Sequence, residues 1–210
     1  MFLRCLRPSV LSASALAVIF LAFTAPAEAA GDAARGKTLG YTCLGCHGIE
    51  SYKNAYPTFS VPRLRGQHAE YILAALQGYR SGERPHATMH AHASTLTDEQ
   101  MQDVAAYLGG EPVKPAAGAA PVGQPPEQVA TCSACHGRDG VGIVGIYPTL
   151  TGQHEDYLEH SLNEYRTGKR KNAIMAPFAA QLTEADVKVI ARYFAQQKPA
   201  LKTVPMREGK

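Results

Sequence analysis

Residues 62–108 repeat without a gap as residues 148–194, at a constant offset of 86, and 18 of the 47 aligned positions are identical. Whatever one copy folds into, the other must fold into as well, so the chain holds two copies of one unit. Gly66-Gln67-His68 answers Gly152-Gln153-His154, Tyr79-Arg80 answers Tyr165-Arg166, and Leu96-Thr97 answers Leu182-Thr183. Between the copies, residues 111–126 are rich in Pro, Ala and Gly, a composition that suits a connecting segment. Each unit is only about 80–90 residues long, a size at which an apolar core often needs a staple or a cofactor.

Helical spacing dominates inside the units. Tyr71, Ile72, Ala75, Leu76 and Tyr79 recur at the period of one helix face, as do Tyr157, Leu158, Ser161, Leu162 and Tyr165. A last helix is expected from Thr97, with Gln100 placed to complete a capping box, and its counterpart from Thr183. No alternating run is long enough for a sheet. The expected fold is therefore all-α, with two small loop-rich units in tandem.

The first thirty residues differ from the rest. Arg4 and Arg7 precede a mostly apolar run from Val10 to Phe23, and Ala27-Glu28-Ala29 gives the small-x-small pattern of a leader-peptidase site. The run is short for a membrane span, which takes about 20 apolar residues. Residues 1–29 thus read as a signal peptide and the mature protein as periplasmic. The chain then divides into a first unit over 30–110, the connecting segment 111–126, a second unit over 127–200 and a C-terminal tail over 201–210. Basic and acidic residues nearly balance, 21 against 18, and no basic stripe suggests nucleic acid.

Cysteine usage says more. Cys5 leaves with the leader, and the remaining four form Cys43-Leu44-Gly45-Cys46-His47 and Cys132-Ser133-Ala134-Cys135-His136. This is the pattern of covalent haem attachment. One helical turn brings two thiols to the two vinyl groups of one porphyrin, and the adjacent histidine is carried beneath the ring to bind iron. The rival readings are a thioredoxin-like dithiol, which would need a βαβ pattern, and a zinc site. Met89 and Met175 stand at one repeat position, each seven residues before the Leu-Thr pair that opens the last helix, and are the candidate sixth ligands; a thioether favours ferrous iron and suits electron transfer. A methionine is otherwise core filler. Pro62 and Pro148 precede the Gly-Gln-His triplets and are placed to offer a carbonyl to the other nitrogen of His47 and His136. The plainer reading of both is a turn before a helix. His68 and His154 are read as ordering the start of the middle helix and not as ligands.

These motifs in combination resemble cytochrome c4, a periplasmic dihaem family with two class I cytochrome c domains in tandem. The resemblance runs from about residue 30 to residue 197. It implies haem c on Cys43 and Cys46 and a second on Cys132 and Cys135, with His47/Met89 and His136/Met175 as axial pairs. It further implies passage of electrons towards terminal oxidases, often at the inner membrane. The first copy departs from the pattern in its histidine-rich stretch, where His86, His90 and His92 flank Met89.

Three functions fit such a chain. The first is a one-electron carrier between a quinol-oxidising complex or dehydrogenase and a terminal oxidase, with no catalysis of its own, either mobile or loosely associated with the membrane. The second is the cytochrome subunit of a dehydrogenase complex. The third, a dihaem peroxidase, would leave one iron open, which two methionines at matched positions argue against.

Overall fold

The computed structural model describes residues 31–115, 120–198 and 201–206. The leader expected over 1–29 lies outside the described residues, as do residues 116–119 of the connecting segment and 207–210 of the tail.

Helix α1 (Ala33–Leu39) starts on Asp32, whose carboxylate accepts the amides of Ala34 and Arg35. A 3₁₀ turn (Gly40–Cys43) leads into α2 (Leu44–His47), which holds the end of the first cysteine motif. Then follow α3 (Ala69–Ser81), α4 (Ala87–Ser94) and α5 (Asp98–Gly109). The box expected at Thr97 is present, with Thr97 accepting from the Gln100 amide and the Gln100 side chain accepting in return. The apolar faces of α3 and α5 close on one another through Ile72, Leu76, Met101, Val104 and Leu108, all buried.

Helices α1 and α5 cross at Gly36, where a Cβ would sit 1.9 Å from the Asp103 carbonyl oxygen. Only a residue without a side chain permits that approach. Asp103, 2 % exposed, ties the crossing together, since it accepts from the Asp32 amide at 2.6 Å and from Arg35 Nε at 2.9 Å.

The second unit repeats the plan as a 3₁₀ turn (Glu127–Val129), α6 (Ser133–His136), α7 (Glu155–Arg166), α8 (Met175–Ala179) and α9 (Glu184–Ala195). Among the described residues it has no counterpart of α1. At the offset of the cysteine motifs, Pro125 and Pro126 stand where Gly36 and Lys37 lie inside α1, and a proline there removes an amide donor and clashes with the preceding turn. The repeat partner of Asp103 is Val189. In compensation Gln197, 1 % exposed, exchanges two hydrogen bonds with the Val122 backbone, at 2.8 and 3.0 Å.

Among the described residues there are only isolated extended pairings, Lys53 with Ser60 and Arg65 with Lys202, and no helix is long and apolar enough to cross a membrane. The architecture is all-α.

The two units dock through the repeated glutamines. Gln67 Nε2 donates to the Thr149 carbonyl and its Oε1 accepts the Thr149 amide, both at 2.9 Å. Gln153 makes the same pair of bonds to the Arg63 backbone, again at 2.9 Å. Arg63 and Thr149 are themselves repeat partners, so the contact has the internal symmetry of the duplication. Asp156 adds a clamp on one side, accepting from the Ser60 amide and hydroxyl. Residues 201–206, read from the sequence as tail, run back onto the first unit, where Leu201 and Val204 are buried.

Candidate functional site

Each cysteine motif folds as a short helical turn, so its histidine ends up buried, His47 at 9 % and His136 at 6 % exposure. His47 Nδ1 lies 2.9 Å from the Pro62 carbonyl oxygen, and His136 Nδ1 lies 2.8 Å from that of Pro148. A carbonyl can only accept, so Nδ1 carries the proton in both rings and Nε2 keeps its lone pair for a metal. Burial lowers the His47 pKa to about 4, against the opposing pull of the Pro62 bond. Burial likewise lowers that of His136. Both imidazoles are therefore neutral near pH 7, the form in which histidine binds iron.

Each histidine opens on an apolar cavity shared with its own cysteines and methionine. His47, Cys43, Cys46 and Met89 line one of about 110 Å³, with Leu76 and Val104 in its wall. His136, Cys132, Cys135 and Met175 line one of about 460 Å³, with Leu158 and Phe194. The four cysteines are unpaired thiols. Among the described residues no three His, Cys, Asp or Glu side chains are grouped to hold a bare metal ion.

Met89 and Met175 are positioned by residues that are themselves repeat partners. The Met89 amide donates to His86 Nδ1 at 3.2 Å, and the Met175 amide donates to Asn172 Oδ1 at 2.9 Å. His86 thus occupies the place of Asn172 and does its work, ordering the turn that bears the methionine. Its Nε2 is taken up by Asn54 Oδ1 at 3.0 Å. His90 Nδ1 is bonded to the Tyr79 carbonyl at 2.8 Å. Of the three histidines around Met89, His92 lines the cavity that holds Cys43, Cys46 and His47, and His86 lines an adjoining one with Cys46, His47 and Met89.

His68 and His154 occupy the N-cap positions of α3 and α7, yet neither side chain makes a capping bond. The expected ordering role is not what the structure shows for His68, because its Nε2 reaches across to the Gly142 carbonyl of the second unit at 3.1 Å.

Between the cavities lies a cluster that sequence reading did not single out. Arg84 and Arg170, repeat partners, are buried at 7 % and 5 % exposure. Each guanidinium lies over the tyrosine of its own unit, Arg84 4.4 Å above Tyr79 and Arg170 4.5 Å above Tyr165. Each also donates across the interface, Arg84 to the Tyr157 hydroxyl and Arg170 to the Tyr71 hydroxyl. Neither makes an ion pair with a carboxylate among the described residues. Burying a guanidinium without a counter-charge costs several kcal/mol. The imbalance registers on Tyr71, where burial raises the phenol pKa but the two guanidiniums outweigh it and hold it at about 8. The cluster is short of negative charge.

That deficit is a test of fit. A haem brings an apolar macrocycle, which suits the cavities, and propionate carboxylates, which suit two buried guanidiniums lying between them. Both requirements are met by residues already in place. The arrangement defines a pair of class I cytochrome c sites. In agreement, the family model for cytochrome c matches residues 33–110 and again 127–198. Cytochrome c4 of Pseudomonas aeruginosa is 34 % identical over 191 residues, covering 84 % of this chain and 94 % of the relative. A thiosulfate dehydrogenase electron acceptor of Stutzerimonas stutzeri is 36 % identical over 169 residues, covering 73 % and 77 %. The crystal structure of reduced cytochrome c4 from Pseudomonas stutzeri superposes with a TM-score of 0.61 at 28 % identity, covering 80 % of this chain and all of that one. The chain belongs to the cytochrome c4 family. It is a dihaem electron carrier, with one haem c attached through Cys43 and Cys46 and another through Cys132 and Cys135.

Proposed function

We propose that the protein carries electrons one at a time between respiratory redox proteins in the periplasm, from a quinol-oxidising complex or dehydrogenase towards a terminal oxidase, and catalyses no reaction of its own. In this reading residues 1–29 direct export, His47 with Met89 and His136 with Met175 would hold the two irons, and Pro62 and Pro148 orient the two imidazoles. Each bound haem supplies a one-electron iron couple. The observation that carries the reading is the matched pairing in both cavities of a buried neutral histidine, tied to a proline carbonyl, with a methionine at one repeat position. Soft thioether ligation favours the reduced state, and the apolar walls keep water from the metal. Arg84 and Arg170 add fixed positive charge between the two units, which favours an arriving electron.

A second reading, the electron-accepting subunit of a dehydrogenase, is favoured by the likeness to the Stutzerimonas stutzeri acceptor. Two measurements test the proposal. Mass spectrometry of periplasmic protein should find two haem additions that survive acid–acetone extraction. Copurification from native membranes should recover the chain free or with several redox partners; recovery in fixed stoichiometry with a single dehydrogenase would establish the second reading instead.

A further inference from the structure

The turns that carry His47 and His136 are covered by different parts of the chain. In the second unit the cover is internal. Ile143 donates its amide to the Cys135 carbonyl at 3.1 Å, Val141 is 1 % exposed, and the amides of Leu150 and Thr151 both reach the Gly140 carbonyl. In the first unit the cover comes from the far end of the sequence. The Leu201 amide is anchored on the Thr151 carbonyl of the second unit at 3.0 Å. Lys202 then pairs with Arg65 of the first unit through two backbone bonds of 2.9 Å. The Val204 amide donates to the carbonyl of His47 itself at 3.1 Å, and the Val204 side chain, 0 % exposed, is part of the first unit's core. Met206 packs on Gly48, where a Cβ would already lie 3.0 Å from its Cγ.

The geometry points to residues 201–206 as a strap that positions His47 and so sets the potential of the first haem without touching the second. Two physical effects act together. The Val204 amide fixes the backbone of the residue whose imidazole binds iron, and the buried Val204 side chain keeps water out of the core behind that turn. Admitting water raises the local dielectric and stabilises the more highly charged ferric state, which lowers the potential. The strap is anchored on the loop that follows Pro148, so any loosening of the unit–unit contact is also communicated to His47. The inference rests on His47 as an iron ligand.

The test is a redox titration of the full-length, haem-loaded protein with Val204→Asp, and with Val204→Ala as the milder change that keeps the fold if the first does not. The two haems are told apart by their paramagnetically shifted methyl resonances. The expected result is a downward shift of the first midpoint, larger for the aspartate than for the alanine, with the second midpoint unchanged. Two haems with unmoved potentials, or with potentials that move equally, would overturn the strap and leave the functional reading intact. A first site that never carries haem in the unaltered protein would overturn both.

Discussion

Arg84 of the first unit donates to the Tyr157 hydroxyl of the second, and the duplication returns the same bond in the other direction from Arg170 to Tyr71. Two like charges that would repel if brought together alone are held in one buried cluster by four phenol rings. The cluster sits where each cavity borders the other unit, since Tyr71 and Arg84 line the first and are shared with the second.

Replacing Arg84 with leucine should therefore lower the potential of both haems, because a fixed positive charge beside two acceptors is lost. Arg84→Lys should keep much of that charge and lower the potentials less, while losing the fork that reaches Tyr157, a charged hydrogen bond worth about 1.5–3 kcal/mol. Spectroelectrochemical titration reads the first effect and denaturant unfolding the second.

The glutamine exchange predicts how firmly the units are joined. Gln67→Ala removes the two bonds across the interface, along with one from the His68 amide, and strands the amide and carbonyl of Thr149, which is 1 % exposed. A stranded buried group costs about 1–3 kcal/mol, so a loss of roughly 2–4 kcal/mol is expected. Gln153→Ala should cost less, since Arg63 is only half-buried and water can take over its backbone groups. Hydrogen exchange at the Thr149 and Arg63 amides, alongside denaturant titration, measures both.

Met175→Ala should remove about half of the methionine-to-ferric-iron absorption and lower one potential only, consistent with the loss of a soft ligand from one site of two. An unaltered spectrum would mean that Met175 only packs. Asn172→Ala should weaken the same band without abolishing it, because the Asn172 side chain holds the amides of Ile174 and Met175.

Met89 should remain the ligand of the first iron at neutral pH. His86 has both ring nitrogens engaged and His90 is bonded to Tyr79. A bis-histidine signal that grows in as the pH rises should therefore vanish in His92→Ala and survive His90→Ala. Magnetic spectroscopy of the ferric protein checks this, and a bis-histidine signal at neutral pH would refute the Met89 assignment.

Asp103 ties α1 to α5 and should show its contribution as acid sensitivity. The Arg35 hydrogen bond holds its carboxyl below the ordinary value of 3.8, although burial opposes this. A carboxyl lowered in the folded state adds stability above its unfolded pKa and loses it as the pH falls through the lowered folded value. Asp103→Asn should thus lower the melting temperature of the first unit at neutral pH, and the gap to the unaltered protein should narrow below about pH 4.

The duplicated, all-helical plan was legible because helical period and repeat are both local patterns. Tyr71, Leu76 and Tyr79 lie on one face whatever they pack against, and Thr97 with Gln100 announces a helix start within four residues. The cysteine motifs were legible for the same reason. Arg84 and Arg170 were not, although they are identical in the repeat, because an arginine on a helical unit reads as surface until the second unit is folded against it. His86 was misleading in sequence, standing among imidazoles beside Met89, where its alignment with Asn172 was the signal that could have revealed a turn-ordering residue. The absence of an α1 counterpart was written in Pro125 and Pro126, whereas the return of residues 201–206 to the first unit depends on contacts about 140 to 160 residues away along the chain, beyond any periodicity.

That return carries a consequence for how the molecule is made. A ribosome delivers Val204 long after His47, yet Val204 belongs to the core of the unit synthesised first. That flank of the His47 turn stays uncovered until residues 201–206 have been made, whereas the turn of His136 is covered by a loop of its own unit.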